Sequence, residues 1–221
     1  MNRAIAFHSH NAVDDGEAAA EQAIQFSIDS LLKQDRNIAQ QVIEADADIN
    51  AYEIKIDKAI VDLLALQQPV ATDLRLILAA AKINNDLERI GDHAVNVAES
   101  ALYLSERTLP QPPFADVSRM TGITKRMLSD ALDSFVHSDA KIGEAVVLMD
   151  DAVDNLNRKI TKDLMGIMKS DPDFIEPAVE LTRVSRNLER VADLATNIAE
   201  EVVFIAKAKF IKHHASDHFD M

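Results

Sequence analysis

A thirteen-residue segment occurs twice in this chain. Residues 87–99 read LERIGDHAVNVAE and residues 188–200 read LERVADLATNIAE, identical at eight of thirteen positions at a displacement of 101. An amphipathic helix keeps its apolar stripe because a core demands it, whereas its polar face is free to drift. Here Glu88, Arg89, Asp92, Asn96 and Glu99 return as Glu189, Arg190, Asp193, Asn197 and Glu200. Something besides the core holds the polar face, and any fold for this chain has to be built twice.

The agreement extends upstream. Asp29 and Ser30 match Asp133 and Ser134, Asp35 matches Asp139, and Asp46 and Asn50 match Asp150 and Asp154, all at a displacement of 104. The change from 104 to 101 puts a three-residue deletion in the turn between the second and third helices of the second copy, where a loop tolerates it. Five Gly and six Pro in 221 residues leave few tight turns, so long helices fit and a strand-rich fold does not. Residues 1–13 show no period. Helical periodicity then runs from about Asp14 to a break at 33–35, from about Ile38 to Leu66, and from about Val70 to Glu106. Gln67, Gln68 and Pro69 end the second helix, since proline cannot continue a helix from within.

Three prolines within 110–113 mark a linker over 108–115. The plan restarts with helices over about Asp116–His137, Lys141–Lys169 and Phe174–Ile211, and the tail beyond reads as disordered. The expected fold is all-α: two tandem three-helix bundles, six helices in total, over 14–107 and 116–212.

Composition closes off several function classes. A net charge of −14 and a pI near 4.8 oppose nucleic-acid binding, which needs a basic surface. With no cysteine there is no disulfide framework, thiol nucleophile or soft-metal site. No apolar run approaches the ~20 residues a membrane span requires, so no membrane insertion is expected. The N-terminus lacks the apolar stretch of a secretory signal, and the cytoplasm is the expected location.

Leu87, Ile90, Ala94, Val97, Ala101 and Leu104 form a 3-4-3-4-3 seam, matched by Leu188, Val191, Ala195, Ile198, Val202 and Ile205. Glu88, Asp92, Asn96 and Glu99 follow spacings of 4, 4 and 3 and form a separate, solvent-facing row of oxygens. Helices two and three are antiparallel across the turn near 68, so residues whose numbers sum to about 136 lie level. The pair Asp46 and Asn50 then stands level with Glu88 and Asp92. In the second half Asp150 and Asp154 stand level with Glu189 and Asp193. Acidic and amide side chains converging on two helices repel one another unless a cation lies between them. Hard oxygen donors suit Mg²⁺, Mn²⁺, Ca²⁺ or iron, while Arg89 and Arg190 are the competing counter-ions.

Other features carry less. His93 corresponds to Leu194 and reads as a packing or surface histidine, and Gly91, facing Ala192 in the alignment, reads as a site of close helix approach. The tail histidines His213, His214 and His218 lack a framework. No glutamate is followed three residues later by histidine, so the ferritin-like di-iron constellation is missing. There is no phosphate-binding glycine loop, dinucleotide turn or nucleophile elbow.

Across roughly 15–210, in both repeats, in QPVATDLRLILAA at 68–80 and in the two LER..D...N.AE segments, the chain resembles the PhoU family of bacterial phosphate-signalling regulators. The resemblance implies two three-helix bundles carrying multinuclear metal clusters, with iron favoured and Mg, Mn, Ca or Zn as alternatives. Carried over by position, Asp46, Asn50, Glu88 and Asp92 would hold one cluster and Asp150, Asp154, Glu189 and Asp193 the other. Asn96, Glu99, Asn197 and Glu200 are candidates to extend them. Two departures stand out: Asn50 replaces an acid, which would weaken the first cluster, and the first helix is expected to be short.

The implied function is negative regulation of phosphate uptake and of the phosphate-starvation response. The implied partners are the ATPase subunit of a phosphate ABC transporter and the phosphate sensor histidine kinase. A homodimer is also expected. Two alternatives stay open: a carboxylate-bridged metalloenzyme such as a phosphohydrolase, and a purely structural bundle whose carboxylates pair with Arg89 and Arg190.

Overall fold

The computed structural model describes residues 3–110 and 113–207, with side chains described from Asp15 onward except at 72 and 207. The tail histidines, and the disorder expected beyond them, lie outside the described residues. Among the described residues there are seven α-helices and no strand. They are α1 (Arg3–Lys33), α2 (Arg36–Gln67), α3 (Thr72–Leu104), α4 (Pro113–Val136), α5 (Ala140–Val147), α6 (Asp150–Ser170) and α7 (Ile175–Lys207), with one 3₁₀ turn over Pro172–Phe174. The helices α1 to α3 make one three-helix bundle, and α4, the consecutive pair α5–α6, and α7 make the second.

Both bundles open with the same turn. Gln34 and Ser138 adopt left-handed backbones with φ of 51° and 50°. The amide of Asp35 then bonds back to the Ser30 carbonyl at 3.0 Å, and that of Asp139 to Ser134 at 2.9 Å. This closure satisfies the last carbonyls of the preceding helix. Asp35 next accepts from the amides of Asn37 and Ile38, and Asp139 from Lys141, as N-caps of the following helices. The repetition of Ser30/Ser134 and Asp35/Asp139 is therefore the repetition of a turn.

The two seams are buried. Leu87, Ile90, Ala94, Val97, Ala101 and Leu104 are each at most 2% exposed, as are Leu188, Val191, Ala195, Ile198 and Val202, while Ile205 packs at the edge. Gly91 lets α2 close on α3: a Cβ there would stand 3.0 Å from Ile49 Cδ1. Gly143 does the same for α5 and α7, where a Cβ would stand 3.0 Å from the Ala199 carbonyl oxygen.

Two expectations are corrected. The first helix is not short: α1 begins at Arg3 and spans 31 residues. Residues 3–13 contain neither Gly nor Pro and include Ala4, Ala6 and Ala12, so the backbone favours helix even where the apolar period fails. The expected fifth helix is also not continuous. At Leu148–Met149 it tightens into bonds three residues apart, Met149 to Val146 at 2.9 Å and Ala152 to Met149 at 3.1 Å, which separates α5 from α6.

Helices α3 and α7 lie antiparallel, and polar bonds clasp them. Arg183 donates to Asn96 and Glu99 at 2.8 and 2.6 Å, Ser100 to Glu180 at 2.7 Å, and Lys82 to Glu201 at 2.6 Å. Along this series the numbers fall on one helix as they rise on the other. Arg183 occupies the position equivalent to Lys82, so the clasp also follows the duplication.

The glycine contacts set opposite signs for two substitutions. Gly143→Ala is expected to destabilise the protein by about 1–3 kcal/mol, since the opposing atom is backbone and yields little. Gly122→Ala on α4, whose Cβ would meet nothing within 4 Å, is expected to stabilise by about 0.5–1 kcal/mol through helix propensity. Urea unfolding of both variants beside the wild type checks the two directions.

Candidate metal centres

In the second half, Asp150 and Asp154 sit one turn apart at the start of α6, opposite Asp193 on α7. One carboxylate oxygen from each lies within 4.8 Å of the others, and all three residues are half-buried. The hydroxyl of Thr196 donates to Asp150 at 3.4 Å. Burial pushes the Asp193 carboxyl above its usual range; Arg190 opposes this and the charge of Asp154 adds to it. Glu189 is raised too, first by burial and then by Asp193 and Asp154, against the pull of Arg190. Like charges are thus crowded where water cannot fully screen them, which is what a bound cation would relieve.

The counter-ions expected from the sequence are also in place. Arg190 lies 2.9 Å from Asp193 and 3.6 Å from Glu189, and Arg158 lies 3.6 Å from Asp154. These guanidiniums are 54% and 66% exposed, and exposed ion pairs contribute only about 0–1 kcal/mol. The oxygen-only donor set fits a hard cation, with Asp150, Asp154 and Asp193 as its holders and Glu189 beside them.

The first half is built differently. Asn50 donates to Asp46 at 3.0 Å, occupying an oxygen that its counterpart Asp154 would leave open. Among the described residues, no trio of carboxylates there comes as close as Asp150, Asp154 and Asp193. Glu88 is nevertheless raised above its usual range, by burial first and then by Asp92, Glu53 and Asp46. Three other acids therefore act on Glu88, and one of them, Glu53, was not foreseen. It lies one turn beyond Asn50 on α2, but its repeat partner is Asn157, so comparing the two copies hides it. Asn157 accepts instead from Ser185 at 2.7 Å. Glu53 returns the charge that Asn50 removes.

The remaining sequence candidates lie on the contact between halves. Asn96 and Glu99 are held by Arg183, whereas Asn197 and Glu200 line open grooves between α3 and α7. Arg89 reaches Asp86 at 3.3 Å rather than the candidate ligands Glu88 or Asp92. His93 Nδ1 lies 2.9 Å from Asn187 Oδ1, a contact across the halves.

Two segments, 17–101 and 117–202, each match the PhoU domain. The chain belongs to the PhoU family. It is 37% identical over 193 residues to the phosphate-specific transport system accessory protein PhoU homolog of Aquifex aeolicus (strain VF5), covering 87% of each chain. The homolog of Pseudomonas aeruginosa PAO1 is 35% identical, with 87% of this chain and 80% of that protein covered. The crystal structure of PhoU from Pseudomonas aeruginosa superposes with a TM-score of 0.91 at 32% identity, over 95% of this chain and all of that one. That of the phosphate transport system regulatory protein PhoU from Streptococcus pneumoniae gives 0.86 at 25% identity, over 94% and 97%. The PhoU-domain matches fall one on each bundle, and both contain the carboxylates described above. No helix among the described residues is long and apolar enough to cross a membrane.

Asp86, packed between α3 and α7, supplies a pH test. Burial pushes its carboxyl up to about 6 from 3.8, with Arg89 lowering it and Glu201 raising it. Because the folded-state value is raised, the stability linked to this group is complete below about 3.8 and is lost as pH rises through about 6. Asp86→Asn keeps an acceptor for Arg89 without the charge. It is expected to exceed the wild type in stability by on the order of 2–3 kcal/mol near pH 8, a gap that closes towards pH 4. Urea midpoints of both proteins at the two pH values check the sign.

Proposed function

We propose that this chain is a cytoplasmic, non-enzymatic negative regulator of phosphate uptake and of the phosphate-starvation response. On this reading it is a helical adaptor, working as a homodimer between the ATPase subunit of a phosphate ABC transporter and its sensor histidine kinase. The observation that carries the proposal is the double PhoU-domain match, together with 37% identity, across 87% of both chains, to a protein named as an accessory of phosphate-specific transport.

The adaptor carries metal in this proposal. Asp150, Asp154, Glu189 and Asp193 hold one centre, and Asp46, Glu53, Glu88 and Asp92 hold the other with Asn50 beside them. Iron is the metal the family resemblance favours; Mg, Mn, Ca and Zn are the alternatives. Support comes from the close approach of Asp150, Asp154 and Asp193 and from the raised carboxyls of Glu88, Glu189 and Asp193. The structural reading draws on the Arg190–Asp193 and Arg158–Asp154 pairs. The enzyme reading has less behind it, because the second cluster is half-buried against an open groove, whereas catalysis gains from a water-excluded site.

Two measurements test the proposal. Elemental analysis of purified wild-type protein and of Glu189→Ala/Asp193→Ala should show metal lost from the variant. Outer-shell groups alone alter metal affinity by about 10–100-fold, and ligands should alter it at least as much. Equal metal in both proteins would favour arginines as the only counter-ions. In the organism, deletion of the gene should derepress phosphate uptake and alkaline phosphatase in phosphate-rich medium; an unchanged response would remove the regulatory reading.

A further inference from the structure

Along the α3–α7 contact the two repeats part company. Arg183 crosses from α7 and seats its guanidinium on Asn96 and Glu99. The matching cation for Asn197 and Glu200 would be Lys82, but Lys82 turns to Glu201 at 2.6 Å. Beside Asn197 and Glu200 lies a groove of about 500 Å³, and the same two residues line a second section of about 450 Å³. Asp150 and Asp193 also line that second section. Arg89 and Arg190, one from each repeat, line it together with Thr196.

The charges of this section favour different occupants with and without a cation. Arg89 and Arg190 face Asp150, Asp193 and Glu200, a net negative lining that repels anions. A divalent cation on the carboxylates reverses the sign. It also frees a donor, because Arg190 now rests on Asp193 at 2.9 Å, and a cation that takes Asp193 displaces it. Arg89 holds the buried Asp86 through one N–H group at 3.3 Å, and its guanidinium, 49% exposed, carries further N–H donors for a second acceptor. Two forked guanidiniums beside a hard cation are complementary to a compact anion with several oxygens, and phosphoryl groups meet that description best.

We infer that this groove is an oxyanion site that forms when the Asp150, Asp154 and Asp193 cluster holds a divalent cation, binding a phosphoryl anion through the cation together with Arg89 and Arg190. The inference rests on the metal reading of the second cluster given above. Inorganic phosphate and a phosphomonoester share the required chemistry, and the groove has room for either.

The test is equilibrium dialysis of radiolabelled inorganic phosphate against Mn²⁺-loaded full-length protein, with the metal content of the same samples measured. Phosphate is expected to bind the loaded protein and not the EDTA-treated one. Arg89→Gln and Arg190→Gln are each expected to weaken binding about tenfold or more, the worth of a charge-assisted hydrogen bond, without lowering Mn²⁺ content. Competition by glycerol 3-phosphate and by unlabelled phosphate then names the source; the stronger competitor is the ligand type, and either order supports the site. Bound Mn²⁺ without bound phosphate, or phosphate binding indifferent to both arginine variants, overturns the inference and leaves the metal reading standing. Protein that takes up no Mn²⁺ overturns both.

Discussion

Helices α3 and α7 lie antiparallel against each other, and every other α-helix packs on one of the two. A helix in that position has no idle face. One side of α3 supplies the buried seam from Leu87 to Leu104, and one side of α7 supplies Leu188 to Val202. A second side turns the acids Glu88 and Glu189 towards the neighbouring helix of the same bundle, where they meet the charges of Asp46 and Asp154. A third side faces the other half, with Asn96, Glu99 and Ser100 answered by Arg183 and Glu180.

The repeated segment is thereby explained position by position. Its leucines and alanines serve the core, Ala98 and Ala199 being fully buried. Its glutamate and aspartate belong to the hairpin inside each bundle. Its asparagine and second glutamate belong to the contact between bundles, in the first copy directly through Arg183. A polar face drifts freely where it meets solvent alone; Arg89, Asp92 and Glu99 are exposed, yet each acts on a neighbouring charge.

Much of this was legible before any coordinates. The helix order, the hairpin turn at 67–69 and the level pairing of Asp150/Asp154 with Glu189/Asp193 all follow from periodicity and antiparallel geometry, because short loops leave helices little choice of neighbour. What escaped was of three kinds. Glu53 is invisible to a comparison of repeats because its counterpart is Asn157. The row Glu88, Asp92, Asn96 and Glu99 reads as one solvent-facing stripe, yet its far end is met by Arg183 from the other bundle. Periodicity within one bundle carries no information about a partner 84 residues away in sequence. The break at Leu148–Met149 has no Gly or Pro to announce it; only the shortened backbone bonds reveal it.

The two halves differ by exchanging partners rather than by moving positions. On α2, Asn50 ties up Asp46 and Glu53 restores the lost charge, so each half gathers four acids. On α3, Lys82 stands where α7 has Arg183. A lysine carries one compact ammonium, whereas the guanidinium of arginine can hold two acceptors at once. Arg183 does so with Asn96 and Glu99, while Lys82 reaches Glu201. A groove lies beside Asn197 and Glu200. The open side is also the side where the carboxylates stand closest together. A duplicated scaffold has thus kept its backbone plan and made its two charged faces unequal through single side chains.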